Sequence, residues 1–288
     1  MVQHTAFESG KVAVITGAAD GIGRAAAQRY ASLGMHLLLA DRDVERLTHT
    51  TDEVRTIAAA QGGRVVCQVL DVANFEQVVD LKERAYADFS RVDVLMNNAG
   101  TSQASGAWSA LPAWQHILGV NLWGIVHGVQ AFTAAMIAQA SPALIINTGS
   151  KQGITNPPGN PAYNVSKAGV KSLTESLQHE LRTTPGCQVS AHLLVPGYTY
   201  TGLTHTGTPR TRATSKPAGA WLPAQVIDYM LAAITRGSFY IICPDNEVSS
   251  ADDAKRMVWA AYDMADDRAP LSRWHGDYQQ AFKDFEIK

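Results

Sequence analysis

Short runs of β-branched and aliphatic residues alternate along the chain with longer stretches in which apolar positions recur every three or four residues. The short runs are apolar throughout, so they read as strands buried on both faces; the longer stretches read as helices with one apolar stripe. Strands are predicted over Lys11 to Thr16, Met35 to Ala40, Arg64 to Leu70, Val92 to Met96, Leu144 to Asn147, Gln188 to Val195 and Ser238 to Ile242. Helices are predicted over Arg24 to Leu33, Val44 to Ala60, Phe75 to Phe89, Pro112 to Ala138, Pro161 to Arg182, Ala224 to Arg236 and Ala251 to Ala265. In the second helix Val44, Leu47, Val54, Ile57 and Ala58 form the stripe toward the sheet. One strand followed by one helix, repeated, implies an α/β fold with parallel strands and crossover helices.

A chain of 288 residues with this pattern is expected to form a single domain over 1–288. Met1 to Gly10 lacks the basic start and apolar run of a signal peptide and is read as a flexible arm. Residues 202–223 are rich in Gly, Thr, Pro and Ser and are read as a substrate lid, with residues 244–288 as a C-terminal extension. The extension's Trp274, Tyr278, Phe282 and Phe285 are expected to dock on the body, on a neighbouring subunit or at the substrate mouth. Formal net charge is −2 and no basic stripe is interleaved with aromatics, which argues against a nucleic-acid partner. No stretch reads as long and apolar enough to span a bilayer; the nearest, Val120 to Ala138, is broken by Asn121, His127 and Gln130 and is expected to be a core helix. Cys67, Cys187 and Cys243 are scattered, and none of the nine histidines falls in a metal-ligand pattern, so no metal site is expected and a reducing cytoplasm fits best.

Candidate chemistry starts after the first strand, where Gly17, Asp20, Gly21, Ile22 and Gly23 lead into a helix. Strand, glycine turn and helix together offer backbone N–H groups and a helix N-terminus to a pyrophosphate. Asp41 ends the second strand, and an acidic side chain roughly 20 residues past such a turn can accept hydrogen bonds from ribose hydroxyls and repel a 2′-phosphate. Asp20 adds a second carboxylate near that point, while Arg42 could pair with a 2′-phosphate; two carboxylates against one guanidinium favour NAD over NADP. Asp71 and Val72, after the third strand, are placed toward the adenine edge, and Asn98, Ala99 and Gly100 after the fourth, where backbone must bend close to a ligand.

Tyr163 and Lys167 are four apart and share one face of the predicted helix. An ammonium within roughly 4 to 6 Å would pull the phenol below its ordinary pKa of about 10, which would let Tyr163 trade a proton with an alcohol. Ser150, just past a strand's carboxyl end, could hold the substrate oxygen. Asn121 stands in the apolar middle of the predicted helix over Pro112 to Ala138, where a buried amide needs partners. Ser102, Trp108, Gln152, Tyr198, Tyr200 and Trp221 are plausible pocket walls, with an aromatic bias suited to a mainly apolar carbinol or ketone.

Taken together, the glycine turn, Asp71, Asn97-Asn98-Ala99-Gly100, Asn121, Ser150, Tyr163-x3-Lys167 and Pro196-Gly197 resemble the short-chain dehydrogenase/reductase family over roughly Gly10 to Thr201. The resemblance implies a doubly wound Rossmann sheet of seven parallel strands with helices on both faces, binding a nicotinamide dinucleotide. It implies Tyr163 as general acid/base, Ser150 as the group that polarises the substrate oxygen, and Lys167 as the binder of the nicotinamide ribose that makes Tyr163 more acidic. Asn121 would hold a water linking Lys167 to solvent. Pro196, Gly197, Thr199 and Thr201 become cofactor candidates, although Thr199 stands where the family commonly has an apolar β-branched residue. The expected activity is hydride transfer between NAD, less readily NADP, and a small secondary alcohol or ketone, with a homo-oligomer, dimer or tetramer, as the assembly. Two alternatives share the scaffold: a dinucleotide sensor without turnover, and a dehydratase or epimerase.

Overall fold

The computed structural model of the protein describes residues 4–108, 110–204 and 216–287. Among them the strands are β1 (Val12–Thr16), β2 (His36–Asp41), β3 (Val65–Val69), β4 (Val94–Asn97), β5 (Ala143–Thr148), β6 (Val189–Val195) and β7 (Tyr240–Ile242). All pair in parallel, in the order β3-β2-β1-β4-β5-β6-β7. The order reverses between β1 and β4, which opens a crevice at their carboxyl ends.

The helices are α1 (Gly21–Ser32), α2 (Val44–Ala59), α3 (Phe75–Phe89), α4 (Leu111–Leu118), α5 (Gly124–Ala138), α6 (Gln152–Thr155), α7 (Pro161–Thr183), α8 (Pro223–Thr235), α9 (Ser250–Ala265) and α10 (Gln279–Asp284). One face of the sheet is covered by α1, α2 and α8 through residues such as Ala26, Leu47, Val54 and Ile227. The other is covered by α3, α5 and α7 through Leu81, Phe132 and Leu177. Both faces of β1 and β2 are therefore dry, which is why Val12 to Ile15 and Leu37 to Ala40 are aliphatic in unbroken succession instead of alternating.

Four expectations change. Ala6 and Phe7 are buried, with the Phe7 ring 5.3 Å from that of Tyr30, so the expected arm is anchored to the core at these two residues. Val44 is 59% exposed because α2 begins there, capped by Asp43, and its buried stripe starts one turn later at Leu47. The expected helix from Pro112 to Ala138 is interrupted by a π turn at Gly119–Trp123. Asn121 lies in that turn, its side chain bonded to both the N–H and the C=O of Thr101, and a buried amide held by a neighbouring loop is the kind of demand that widens a helix. Leu111–Ala138 does meet the length and apolarity needed to cross a membrane, contrary to expectation. Ile125, Val129, Phe132 and Met136 are buried in the main core, however, so this is the core helix foreseen.

The C-terminal extension turns back on itself. Trp259 of α9 is 3% exposed, stacked edge-on against Phe282 and Phe285, with the Arg268 guanidinium 4.2 Å from its ring and Nε1 donating to Ser272. Trp274 is 38% exposed and stays at the surface.

Candidate active site

A cleft of about 550 Å³ opens over the carboxyl ends of β1, β4, β5 and β6. On the β1 side Gly17 has φ +65, and a Cβ there would sit 2.7 Å from the Ala99 Cα, so glycine is needed both for the turn and for the approach of the loop after β4. Asn98 fastens the two loops: its Nδ2 donates to the carbonyls of Thr16 (3.1 Å) and Gly17 (3.3 Å), and its N–H donates to the Thr16 hydroxyl (3.0 Å). Gly23 and Ala99 lie beneath this turn and outside the cleft wall, whereas Gly21 and Ile22 are on it. The first turn of α1 therefore opens on the cleft, with the N–H groups and dipole that suit a phosphate.

Asp41 stands at the far end of this wall, its Oδ2 accepting from the Ala19 N–H (3.0 Å) and its Oδ1 from the Asp43 N–H (3.0 Å). A carboxylate held by two backbone donors is fixed in place and retains lone pairs for ribose hydroxyls. Asp20 is on the cleft wall as expected, and it is also the N-cap of α1, accepting from the Gly21 N–H at 2.7 Å. Arg42 lines the cleft as expected, and the sequence reading missed Arg46, which joins it there 3.4 Å from Asp43 and 3.9 Å from Asp20. Its signal was available, since Arg46 falls in the first turn of α2, four residues after Arg42.

Opposite, β5 delivers Ser150 and α7 delivers Tyr163 and Lys167. Pro161 starts α7 and Asn160 caps it, accepting from the Tyr163 N–H (3.4 Å), so the first turn is fixed and Tyr163 points into the cleft. Ser150 and Tyr163 both line this side of the cleft, and Tyr163 is 9% exposed. The Lys167 Nζ donates to the Thr148 carbonyl (2.8 Å) and lies 5.8 Å from the centroid of the Tyr163 ring. Asn121 is fully buried behind this group, with its Nδ2 also donating to Ser166 (3.2 Å).

The acidity of Tyr163 is not what the helical spacing led one to expect. Burial raises its pKa above the ordinary value of 10, and Ser150 only partly offsets this. Lys167 does not reverse the balance because burial disfavours its own charge, bringing its pKa down to about 8. Between about 8 and 10.5 the unfolded chain thus holds this proton more tightly than the fold does, so stability rises with pH across that window and falls as pH drops through 8. The unfolding midpoint of the wild-type protein should accordingly rise relative to that of Lys167→Met between pH 8 and 10.5. A midpoint difference that stays flat would mean the amine is not desolvated.

Pro196, Gly197, Tyr198, Thr199 and Thr201 line the third side, and Gly100 and Ser102 the fourth, with Gln152 beside Ser150. Thr101, Thr148, Gly149 and Lys151 also line the cleft and were not singled out from sequence. Other expected positions are elsewhere. Asp71 turns its carboxylate to the Ala73 N–H (2.9 Å), and Val72 is buried under α5, its side chain against Gly124, so neither is on the cleft wall. Trp108 is 95% exposed at the surface, and Trp221 packs on Tyr229 while its backbone pairs with residues 198 to 200. Tyr200 lies outside the wall too, so among the described residues Tyr198 is the one aromatic of the expected set that lines the cleft. Residues 205–215, with His205 and half of the expected lid, lie outside the described residues; Gly202, Leu203 and Thr204 at its start reach the cleft.

A doubly wound parallel sheet, a glycine turn into a helix N-terminus, and a serine–tyrosine–lysine group facing them across one crevice define the class of nicotinamide-dependent oxidoreductases. Comparison with known proteins makes this specific: the family model for short chain dehydrogenases matches residues 11–211, and the protein belongs to that family. It is 30% identical over 272 residues to a CLA biosynthesis dehydrogenase/reductase from Lactiplantibacillus plantarum, covering 86% of this chain and 93% of the relative. It is 31% identical over 237 residues to a 3-oxoacyl-[acyl-carrier-protein] reductase from Thermotoga maritima, covering 81% and 93%. Among solved structures, a short-chain dehydrogenase/reductase from Burkholderia phymatum in complex with NAD has TM-score 0.80 at 35% identity, covering 91% of this chain and 96% of that one. A metagenomic short-chain oxidoreductase in complex with NADP has TM-score 0.66 at 30% identity, covering 83% and 98%. The protein is therefore an oxidoreductase of a family that uses nicotinamide cofactors, with dehydrogenase and reductase relatives.

Proposed function

We propose that this protein transfers a hydride between a nicotinamide dinucleotide and a small secondary alcohol or ketone, with Tyr163 as general acid/base. The observation that carries the reading is the buried Tyr163 on the cleft wall together with Ser150 and Lys167, in the same cleft as the glycine turn. The cleft fits the cofactor: Gly17, Gly21 and Ile22 would hold the pyrophosphate, Asp41 the adenosine ribose, Lys167 and Tyr163 the other ribose, and Gly197 and Thr199 the carboxamide end. When bound, the nicotinamide supplies or takes the hydride, and its oxidised form adds a positive charge to the site.

The rest falls to the chain's own side chains. A phenol held above its ordinary pKa keeps its proton at neutral pH, the form needed to protonate a ketone oxygen as it becomes an alcohol. Ser150 donates to the same oxygen and stabilises the charge developing there. In the oxidative direction Tyr163 must first lose its proton, which its burial opposes. Oxidation is thus expected to need the charged cofactor or a raised pH.

Asp41 supports NAD over NADP, since a 2′-phosphate would meet a carboxylate already fixed by two N–H groups. Arg42 and Arg46 temper that preference. The test is a nicotinamide absorbance assay across secondary alcohols and ketones with NAD(H) and NADP(H) in parallel. Turnover with a preference for NAD is expected, and Asp41→Ala should shift the ratio toward NADP by about tenfold, the equivalent of roughly 1.4 kcal/mol. Dinucleotide binding without turnover would instead support a sensor, and product formation without net change in nicotinamide absorbance a dehydratase or epimerase.

A further inference from the structure

The residue after Ser150 is not used by the proposed chemistry, yet it is the most elaborately tied side chain at the cleft. Lys151 is 18% exposed, and its Nζ lies 2.6 Å from the Asp253 Oδ2 and 3.5 Å from the Asp245 Oδ2. The Asp253 contact is ionic and poorly aligned, leaving Oδ2 without a hydrogen bond. Both carboxylates are 5% exposed and both come from the region after β7. Asp245 does more than pair: its Oδ2 accepts from the Tyr198 N–H (3.1 Å), and its Oδ1 from the N–H groups of Glu247 (3.0 Å) and Val248 (2.8 Å). There is no slack where these meet, since a Cβ on Gly197 would lie 2.7 Å from the Asp245 Oδ2 and 3.1 Å from the Lys151 Nζ.

One ammonium thus joins three segments that the chain does not otherwise connect: the loop after β5 that carries Ser150, the Pro196 to Thr199 loop after β6, and α9. A buried ion pair is weak evidence for stability, because desolvation cancels most of the attraction, but it imposes geometry. Here the two loops it fixes relative to each other are those proposed to hold the substrate oxygen and the nicotinamide carboxamide. We propose that Lys151 is a positioning residue, which through Asp245 and Asp253 sets the separation of these two loops and makes the C-terminal extension part of the active site. This rests on the hydride-transfer reading for its kinetic consequence and not for its structural one.

The test uses the full chain and two readouts. In hydrogen–deuterium exchange, Lys151→Met should speed exchange about tenfold in residues 149–155, 196–199 and 250–265 while leaving β1 and β2 unchanged, and Lys151→Arg should restore protection. Asp253→Asn, which keeps the shape, should loosen 149–155 and 250–265 but spare 196–199, which Asp245 still holds. In turnover, Lys151→Met should lower kcat by about tenfold to a hundredfold with KM for the dinucleotide unchanged, as loss of alignment does. Exchange that rises in α9 alone, or equally over the whole chain, would overturn the proposal, as would a kcat unaffected by Lys151→Met. A wild-type protein that turns over no alcohol or ketone would refute the hydride-transfer reading, while the exchange pattern would still decide whether the cluster holds the loops.

Discussion

Tyr163→Phe is expected to lower the rate of hydride transfer by about 10²- to 10⁴-fold, the range for loss of a positioned proton donor or acceptor. The substitution removes one oxygen from a residue that is 9% exposed, so the ring still fills its place on α7 and the fold should be retained. It takes away the hydroxyl proposed to exchange the proton and leaves Ser150, on the same cleft wall, to polarise the substrate oxygen alone. Binding of the dinucleotide, spread over the glycine turn, Asp41 and the 196–201 segment, should change far less. Single-turnover absorbance with a substrate found in the screen, beside a fluorescence titration of the reduced cofactor, separates the two effects. A rate within a factor of two or so of wild type would remove Tyr163 from its role, whereas equal losses of binding and rate would mark it as a structural residue.

Gly153→Ala is expected to damage both stability and activity although Gly153 touches no reacting atom. Helix α6 lies so close on α7 that a Cβ at Gly153 would come within 2.6 Å of the Lys167 carbonyl oxygen and 2.7 Å of the Ala168 nitrogen. Those are backbone atoms inside a helix and cannot step aside, so α6 itself must lift, at a cost of about 1–3 kcal/mol for overpacking. In a chain of this size that is roughly 2–4 °C of Tm per kcal/mol. The lifted segment begins two residues after Ser150 and carries Gln152, so the distance from Ser150 to Tyr163 should grow and kcat fall with Tm. Thermal unfolding and steady-state kinetics on the same preparation check this; an unchanged Tm would show that α6 and α7 are not in this close contact.

Gly153 also shows where reading the chain by itself stops. The sequence singled out glycines that sit in a recognisable turn, such as Gly17 and Gly21, because turn chemistry is local. Gly153 matters through a contact with a helix that starts eight residues later and packs on it, and no spacing announces that. The same divide separates Ser150 from Lys151. Ser150 was legible from its place after a buried strand and its register with Tyr163, while Lys151 takes its meaning from Asp245 and Asp253, about a hundred residues downstream. The aromatic positions proposed for the pocket were chosen by composition, and Trp108 and Trp221 went elsewhere because composition carries no direction.

The order of strands and helices, the parallel sheet and the juxtaposition of Tyr163 with Lys167 were determined by the sequence, since each follows from an unbroken apolar run, a period of 3.6 or a spacing of four that neighbouring residues set among themselves. The protonation of that pair was decided only by the tertiary structure: the spacing predicted a phenol made more acidic, and burial made it less so. The difference has one physical reason. Distances along a helix are fixed by covalent geometry, whereas desolvation depends on what the rest of the chain brings to cover the group, and it can outweigh a charge one turn away.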